Sequence, residues 1–218
     1  MSNKILLIVP TKGRPQKHLE FYESFKSNST ITDLIFVLSA GDIEYPKIPG
    51  VQYEVVDKPT MSGKLNSIAI KYANDYDYLS FMGDDVRIRT NGWDIKMVEQ
   101  ISSIKNCIAY GNDLFQGENL PTAVLLDSNI VKTLGFMSPP AIKHLYIDNF
   151  WKMLGEKLST LKYFPEIILE HLHFAINKAE KDDTYKETNS EEIYNNDNFA
   201  FLNYITNNLD KDIEKLIN

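Results

Sequence analysis

The chain has 218 residues, 43% of them hydrophobic and 11% aromatic, enough to bury the core of one α/β domain and to leave a C-terminal appendage. Its 23 Lys and Arg stand against 30 Asp and Glu, a formal charge of −7, which argues against a broad nucleic-acid-binding surface and leaves room only for a local basic groove. The single cysteine, Cys107, excludes an internal disulfide and fits a reducing, cytoplasmic setting.

Residues 5–9 (Ile-Leu-Leu-Ile-Val) form an apolar run closed by Pro10. The run is too short for a signal-peptide core or a membrane span and reads as a strand buried on both faces. A loop at 11–15 (Thr-Lys-Gly-Arg-Pro) and a helix over about 18–25 follow. A second buried strand at 34–38 ends in the turn-like 39–42, and a third spans 51–56. Ser62 is expected to cap a helix in which Leu65, Ile68, Ala69 and Tyr72 recur at helical spacing, ending near Asp75.

A fourth strand at 78–82 runs directly into Gly83-Asp84-Asp85, so the paired acids sit just past a strand's C-terminal end. A helix at 93–104 and short strands at 107–110 and 122–126 continue the alternation, which implies a mainly parallel sheet with ligands bound outside the carboxyl ends of its strands. Beyond Pro140 a helix is expected at 147–154 and a strand-like segment at 166–174. Residues 180–198, rich in acids and Asn, read as an extended or mobile connection, and 199–217 as a last amphipathic helix. The division that follows is a catalytic domain at 1–178 and a C-terminal extension at 179–218.

Two adjacent carboxylates on a glycine turn make a hard oxygen site, suited to a divalent ion such as Mn2+ or Mg2+ that keeps positions open for substrate phosphates. A solvated structural turn is the alternative. In Glu170-His171-Leu172-His173, strand alternation puts His171 and His173 on one face, from which either could join the metal; a packed or hydrogen-bonded pair and a two-histidine zinc site are the alternatives. Thr11, Lys12 and Arg14 offer hydroxyl and cationic groups where a nucleotide would lie, without the glycine spacing of a P-loop or dinucleotide fingerprint. Lys64 and Asn66, at the start of a helix, favour an anion. Asp148 is either a helix N-cap or a carboxylate placed to take a proton from an acceptor hydroxyl.

Taken together, these segments resemble the GT-A glycosyltransferases, specifically family 2-like enzymes and their short versions in phage and bacterial genomes. The resemblance runs over about 5–185: Pro10-Thr11 with Arg14-Pro15, Lys64-Leu65-Asn66, the Phe81–Val86 segment with Gly92-Trp93-Asp94, Leu134-Gly135-Phe136, Asp148-Asn149, the His171/His173 segment, and Asp182 with Thr184-Tyr185. It implies a Rossmann-like nucleotide-diphospho-sugar transferase fold, α/β with a mainly parallel sheet flanked by helices, and a helical C-terminal extension.

The implied activity is metal-dependent, inverting transfer of a sugar from a nucleoside-diphosphate donor, a UDP-sugar foremost, to a hydroxyl of a glycan, a protein, a small molecule or a modified phage DNA base. By the same resemblance Pro10, Thr11 and Arg14 border the nucleotide, Asp42 lies near the base, and Lys64 and Asn66 contribute to donor binding. Asp84 faces the ribose or metal, Asp85 with His171 or His173 holds the metal, and Asp148 is the base. The acidic motif reads Gly-Asp-Asp in place of Asp-x-Asp, and the absence of a Glu-Asp pair near Asp148 makes Asp113 a second candidate base. Two other activities share part of this pattern: a nucleotidyltransferase, and a binding protein that has lost its chemistry.

Overall fold

The computed structural model describes residues 3–58 and 60–218. Its eight strands are β1 (Ile5–Pro10), β2 (Thr32–Ser39), β3 (Gln52–Val56), β4 (Tyr78–Phe81), β5 (Val86–Ile88), β6 (Ile108–Asn112), β7 (Val124–Asp127) and β8 (Leu161–His171). They form one sheet in the order β3-β2-β1-β4-β7-β6-β8-β5. Pairings from β3 through β4 and between β6 and β8 are parallel, whereas β7 runs antiparallel to both its neighbours and β5 antiparallel to β8.

The helices are α1 (Pro15–Asn28), α2 (Met61–Tyr72), α3 (Trp93–Ile101), α4 (Ser128–Leu134), α5 (Ile147–Leu158), α6 (Asp183–Thr188), α7 (Glu191–Asn207) and α8 (Leu209–Ile217). Because successive side chains of a strand point to opposite faces, β1 feeds two cores at once. Leu6 and Ile8 join Leu65, Phe150, Trp151, Phe201 and Leu216 on one face, while Ile5, Leu7 and Val9 join Phe21, Phe36, Trp93 and Met97 on the other. A helix layer on each face is therefore required to keep the central strands dry.

Chain order doubles back at β1, which has β2 on one side and β4 on the other. This is the crevice where open α/β sheets bind ligands. The register pairs Ile8 with Phe81, so the segments leaving β1 and β4 emerge side by side.

The C-terminal region departs from the expected layout. Residues 180–198 are largely helical: Asp182 caps α6 by accepting from the Tyr185 N–H, and Ser190 caps α7 by accepting from the Ile193 N–H. The segment is polar because its helices present a solvated face, and it is anchored by the buried Tyr185, Asp197 and Phe201. The expected single final helix is broken at Asn208, and α8 packs Leu209 and Leu216 into the same core as the sheet. Ser62 is not the cap of α2. Thr60 accepts from the Gly63 N–H, and Ser62 is buried with its hydroxyl on the Pro139 carbonyl. Strand β5 and helix α4, both short, were not expected from the sequence.

Candidate active site

The carboxyl ends of β1 and β4 deliver the centre of the site. Thr11 continues β1 by donating its N–H to the Val37 carbonyl, and its hydroxyl donates to Asp84 Oδ2 at 2.6 Å. The following loop turns through Gly13 in the left-handed region (φ 67°), held by Asp42, whose carboxylate accepts from the N–H groups of Gly13 and Ile43 and from the Tyr45 hydroxyl. Asp42 therefore shapes the loop and does not line the cavity. Arg14 precedes α1, whose first position is Pro15, and its guanidinium reaches Asp84 Oδ1 at 3.1 Å and both oxygens of Asp182 at 2.9 and 2.8 Å.

The β5–β8 ladder supplies the second half. It pairs Val86 with His171, and the Leu172 N–H donates to the Asp85 carbonyl at 2.9 Å. His171 Nε2 thereby lies 3.5 Å from Asp85 Oδ1. Gly83 makes room for this arrangement, since a Cβ there would stand 2.6 Å from that same Oδ1. Asp85 Oδ2 accepts from the hydroxyl of Tyr185, delivered by α6. The Tyr185 ring also covers Arg14 at 4.4 Å, a cation–π contact.

Both acids are buried, Asp84 at 3% and Asp85 at 7% exposure. Burial and the neighbouring Asp85 charge push Asp84 above the ordinary carboxylate range. Burial acts in the same direction on Asp85, but the His171 and Tyr185 hydrogen bonds and Arg14 outweigh it and hold Asp85 below that range. One carboxylate is thus kept anionic beside an imidazole.

The two histidine rings pack edge to face at 5.1 Å but turn to different partners. His171 faces Asp85, whereas His173 lies past the end of β8, accepts from the Ala175 N–H at Nδ1 and stacks on Phe115 at 4.9 Å. Buried His171 Nδ1 has no hydrogen-bond partner and faces Asp113 Oδ2 across 4.0 Å.

Thr11, Lys12, Arg14, Lys64, Asp84, Asp85, Asp148, His171 and His173 all border one cavity of about 290 Å³, with Pro10 at its edge. Lys64 is 4% exposed and donates to the Thr11 carbonyl at 3.2 Å, and burial lowers its pKa. Asp148 lies in the first turn of α5, whose cap is Tyr146 and not Asp148. Its Oδ1 accepts from the adjacent Asn149 N–H, and burial raises its pKa to about 6.

Two further expected residues are, like Asp42, engaged elsewhere. Asp113 is 2% exposed, accepts from the N–H groups of Phe115, Gln116 and Gly117 and from the Thr122 hydroxyl, and does not line the cavity. An acid held by four donors organises a loop. Asn66 holds the 137–138 backbone, donating to the Ser138 carbonyl and accepting from the N–H groups of Met137 and Ser138, also outside the cavity.

Sequence reasoning assigned no role to several cavity residues. Tyr185 was visible only as part of the family pattern. His144 and Gln116 carried no signal, because neither stands in a motif and both reach the cavity only through tertiary folding.

No protein-family model matches the chain, and no curated protein matches it. Solved structures do. A mannosyltransferase from Pyrobaculum calidifontis, PcManGT, in complex with GDP-Man and Mn2+, aligns over 98% of this chain and 73% of its own, with 10% identity and a TM-score of 0.60. Glucosyl-3-phosphoglycerate synthase from Mycobacterium tuberculosis, with Mn2+, UDP-glucose and phosphoglyceric acid, aligns over 91% and 80%, with 10% identity and a TM-score of 0.63. TarS from S. aureus aligns over 94% of this chain and 44% of its own, with 13% identity and a TM-score of 0.55. The chain has the GT-A fold. Among the described residues no helix is long and apolar enough to cross a membrane.

Proposed function

We propose that the chain is a divalent-metal-dependent glycosyltransferase that moves a sugar from a nucleoside-diphosphate donor, a UDP-sugar foremost, to an acceptor hydroxyl. The single observation that carries this reading is the buried pair Asp85 Oδ1 and His171 Nε2, 3.5 Å apart and open to the cavity at the carboxyl end of β4. Two atoms bound to one small divalent ion at ordinary lengths stand about 3 Å apart, so the pair fits with little adjustment.

Among the described residues no group of three His, Cys, Asp or Glu side chains forms a closed metal cage. An Mg2+ or Mn2+ site that takes its remaining ligands from substrate phosphates and water needs no such cage. His171 Nδ1, unpartnered and turned toward Asp113, suits an imidazole that ligates through Nε2. The neighbours bound to Mn2+ with GDP-Man or UDP-glucose support a divalent metal and a nucleotide-sugar donor.

The metal, when held by Asp85 and His171, supplies positive charge for the departing nucleoside diphosphate. Thr11, Lys12, Arg14 and Lys64 border the cavity on the segments leaving β1 and at the start of α2, and provide the hydroxyl and cations that hold the diphosphate. Asp148 takes the proton of the acceptor hydroxyl as its oxygen bonds to the anomeric carbon and the bond to the diphosphate oxygen breaks, with inversion. A carboxyl with a pKa of about 6 is ionised at neutral pH yet more basic than an ordinary aspartate.

The test is release of nucleoside diphosphate from UDP-glucose, UDP-galactose, UDP-N-acetylglucosamine and GDP-mannose with Mn2+. Metal-dependent release by the wild type, lowered about a thousandfold in Asp85→Ala, is expected. Full activity of that variant in excess chelator would sink the proposal.

A further inference from the structure

The cavity is charged unevenly. Its cations, Lys12, Arg14 and Lys64, all come from the segment after β1 and from α2. The segments that accompany Asp148, at 115–122 and 144–151, contribute Phe115, Gln116, Thr122, His144, Tyr146 and Trp151 to the lining. Among the described residues, neither segment places a lysine or arginine on the cavity. Lys152, just beyond, is turned to the Asn119 carbonyl and Glu156.

On the glycosyl-transfer reading, we infer that the acceptor is an uncharged carbohydrate, bound by its ring face and hydroxyls, and not a phosphorylated compound. A phosphate beside Asp148 would meet a carboxylate and no lysine or arginine from the two segments around it, whereas sites that recognise phosphate place Arg or Lys at it. The lining has instead what a pyranose ring requires: aromatic surface for its C–H faces and a few neutral polar groups for its rim.

That surface is rigid. Phe115 stacks on His173 and Tyr146 stacks on Phe201, both rings half-buried at the cavity, while the buried Trp151 packs 5.4 Å from Phe81 with its indole N–H tied to the Met137 carbonyl. The backbone around His144 is fixed by Asp197 of α7, which accepts from the N–H groups of Lys143, His144 and Leu145 at 2.8–2.9 Å. Burial keeps the His144 imidazole neutral, a donor and acceptor without charge.

The experiment measures nucleoside-diphosphate release with Mn2+ and whichever donor turns over, first without acceptor and then with two sets at equal concentration. One set holds neutral pyranosides and disaccharides, such as p-nitrophenyl glycosides, maltose and cellobiose. The other holds 3-phosphoglycerate, glucose 6-phosphate and glycerol phosphate. Stimulation by at least one neutral glycoside, and at least tenfold weaker stimulation by every phosphorylated compound, is expected.

In Gln116→Lys the ratio of phosphorylated to neutral stimulation should rise about tenfold, the worth of one charge-assisted hydrogen bond. The wild-type panel decides the matter even if that variant does not fold. Preference for a phosphorylated acceptor, or failure of every neutral glycoside, overturns the inference. Absence of any metal-dependent donor turnover is the separate result that removes the glycosyl-transfer reading itself.

Discussion

Asp148→Asn isolates one carboxylate and should make the protein both more stable and inactive. In the folded chain the Asp148 pKa is raised from 3.8 to about 6, chiefly by burial, with the Asn149 N–H opposing. The ionised form is therefore disfavoured by folding. The cost is absent below pH 4, where both states are protonated, grows as pH rises to about 6, and is full above that.

The whole shift corresponds to about 3 kcal/mol, and the half-open position of Asp148 on the cavity wall reduces this to about 1–2 kcal/mol. Asparagine keeps the oxygen that accepts from the Asn149 N–H and carries no charge. At this chain length the gain amounts to about 3–6 °C in Tm. Thermal denaturation of both proteins at pH 4, 6 and 8 reads it as a difference that opens with pH, while donor-to-acceptor transfer is lost and metal-dependent donor hydrolysis persists. Equal stability at pH 8, or retained transfer, would refute the placement of a disfavoured anionic base at 148.

Gly83→Ala places a methyl 2.6 Å from Asp85 Oδ1 and must turn that carboxylate away from His171. Mn2+ affinity measured in the presence of UDP should fall about tenfold or more while the far-ultraviolet circular dichroism is kept. Asp197→Ala leaves three backbone N–H groups without their acceptor, which should cost about 3–5 kcal/mol in urea denaturation. Asp197→Asn should cost less and raise the acceptor KM more than the donor KM, because the clamped segment carries His144 toward the cavity.

Much of the central sheet was legible from residue type alone. The continuous apolar runs of β1 and β2 read as strands covered on both faces, and Thr11 and Asp84 each follow a strand's carboxyl end, but their contact depends on the pairing of β1 with β4. Asp85 and His171 are far apart in the chain, and their meeting depends on β5, a three-residue strand too short to leave a periodic signal. Asp113 and Asp148 look alike in sequence. Only the four donors around Asp113 show that it organises a loop.

The C-terminal extension was the least legible. Its aspartates and asparagines have low intrinsic helix propensity, and its helices form because Tyr185, Asp197, Phe201 and Leu216 dock onto the sheet domain. That docking brings α6 over the site, where Arg14 and Lys17 pair with Asp182, and Tyr185 reaches Asp85. Helices α7 and α8 thus share the core of the sheet, and α6 adds to the cavity wall.

Calorimetric titration of Mn2+ into the protein in the presence of UDP, for the wild type and for Asp85→Ala, His171→Ala and His173→Ala, tests the assignment of the metal centre most directly. One site is expected in the wild type, lost in the first two variants and retained in His173→Ala. Undiminished Mn2+ binding by both Asp85→Ala and His171→Ala would contradict the account.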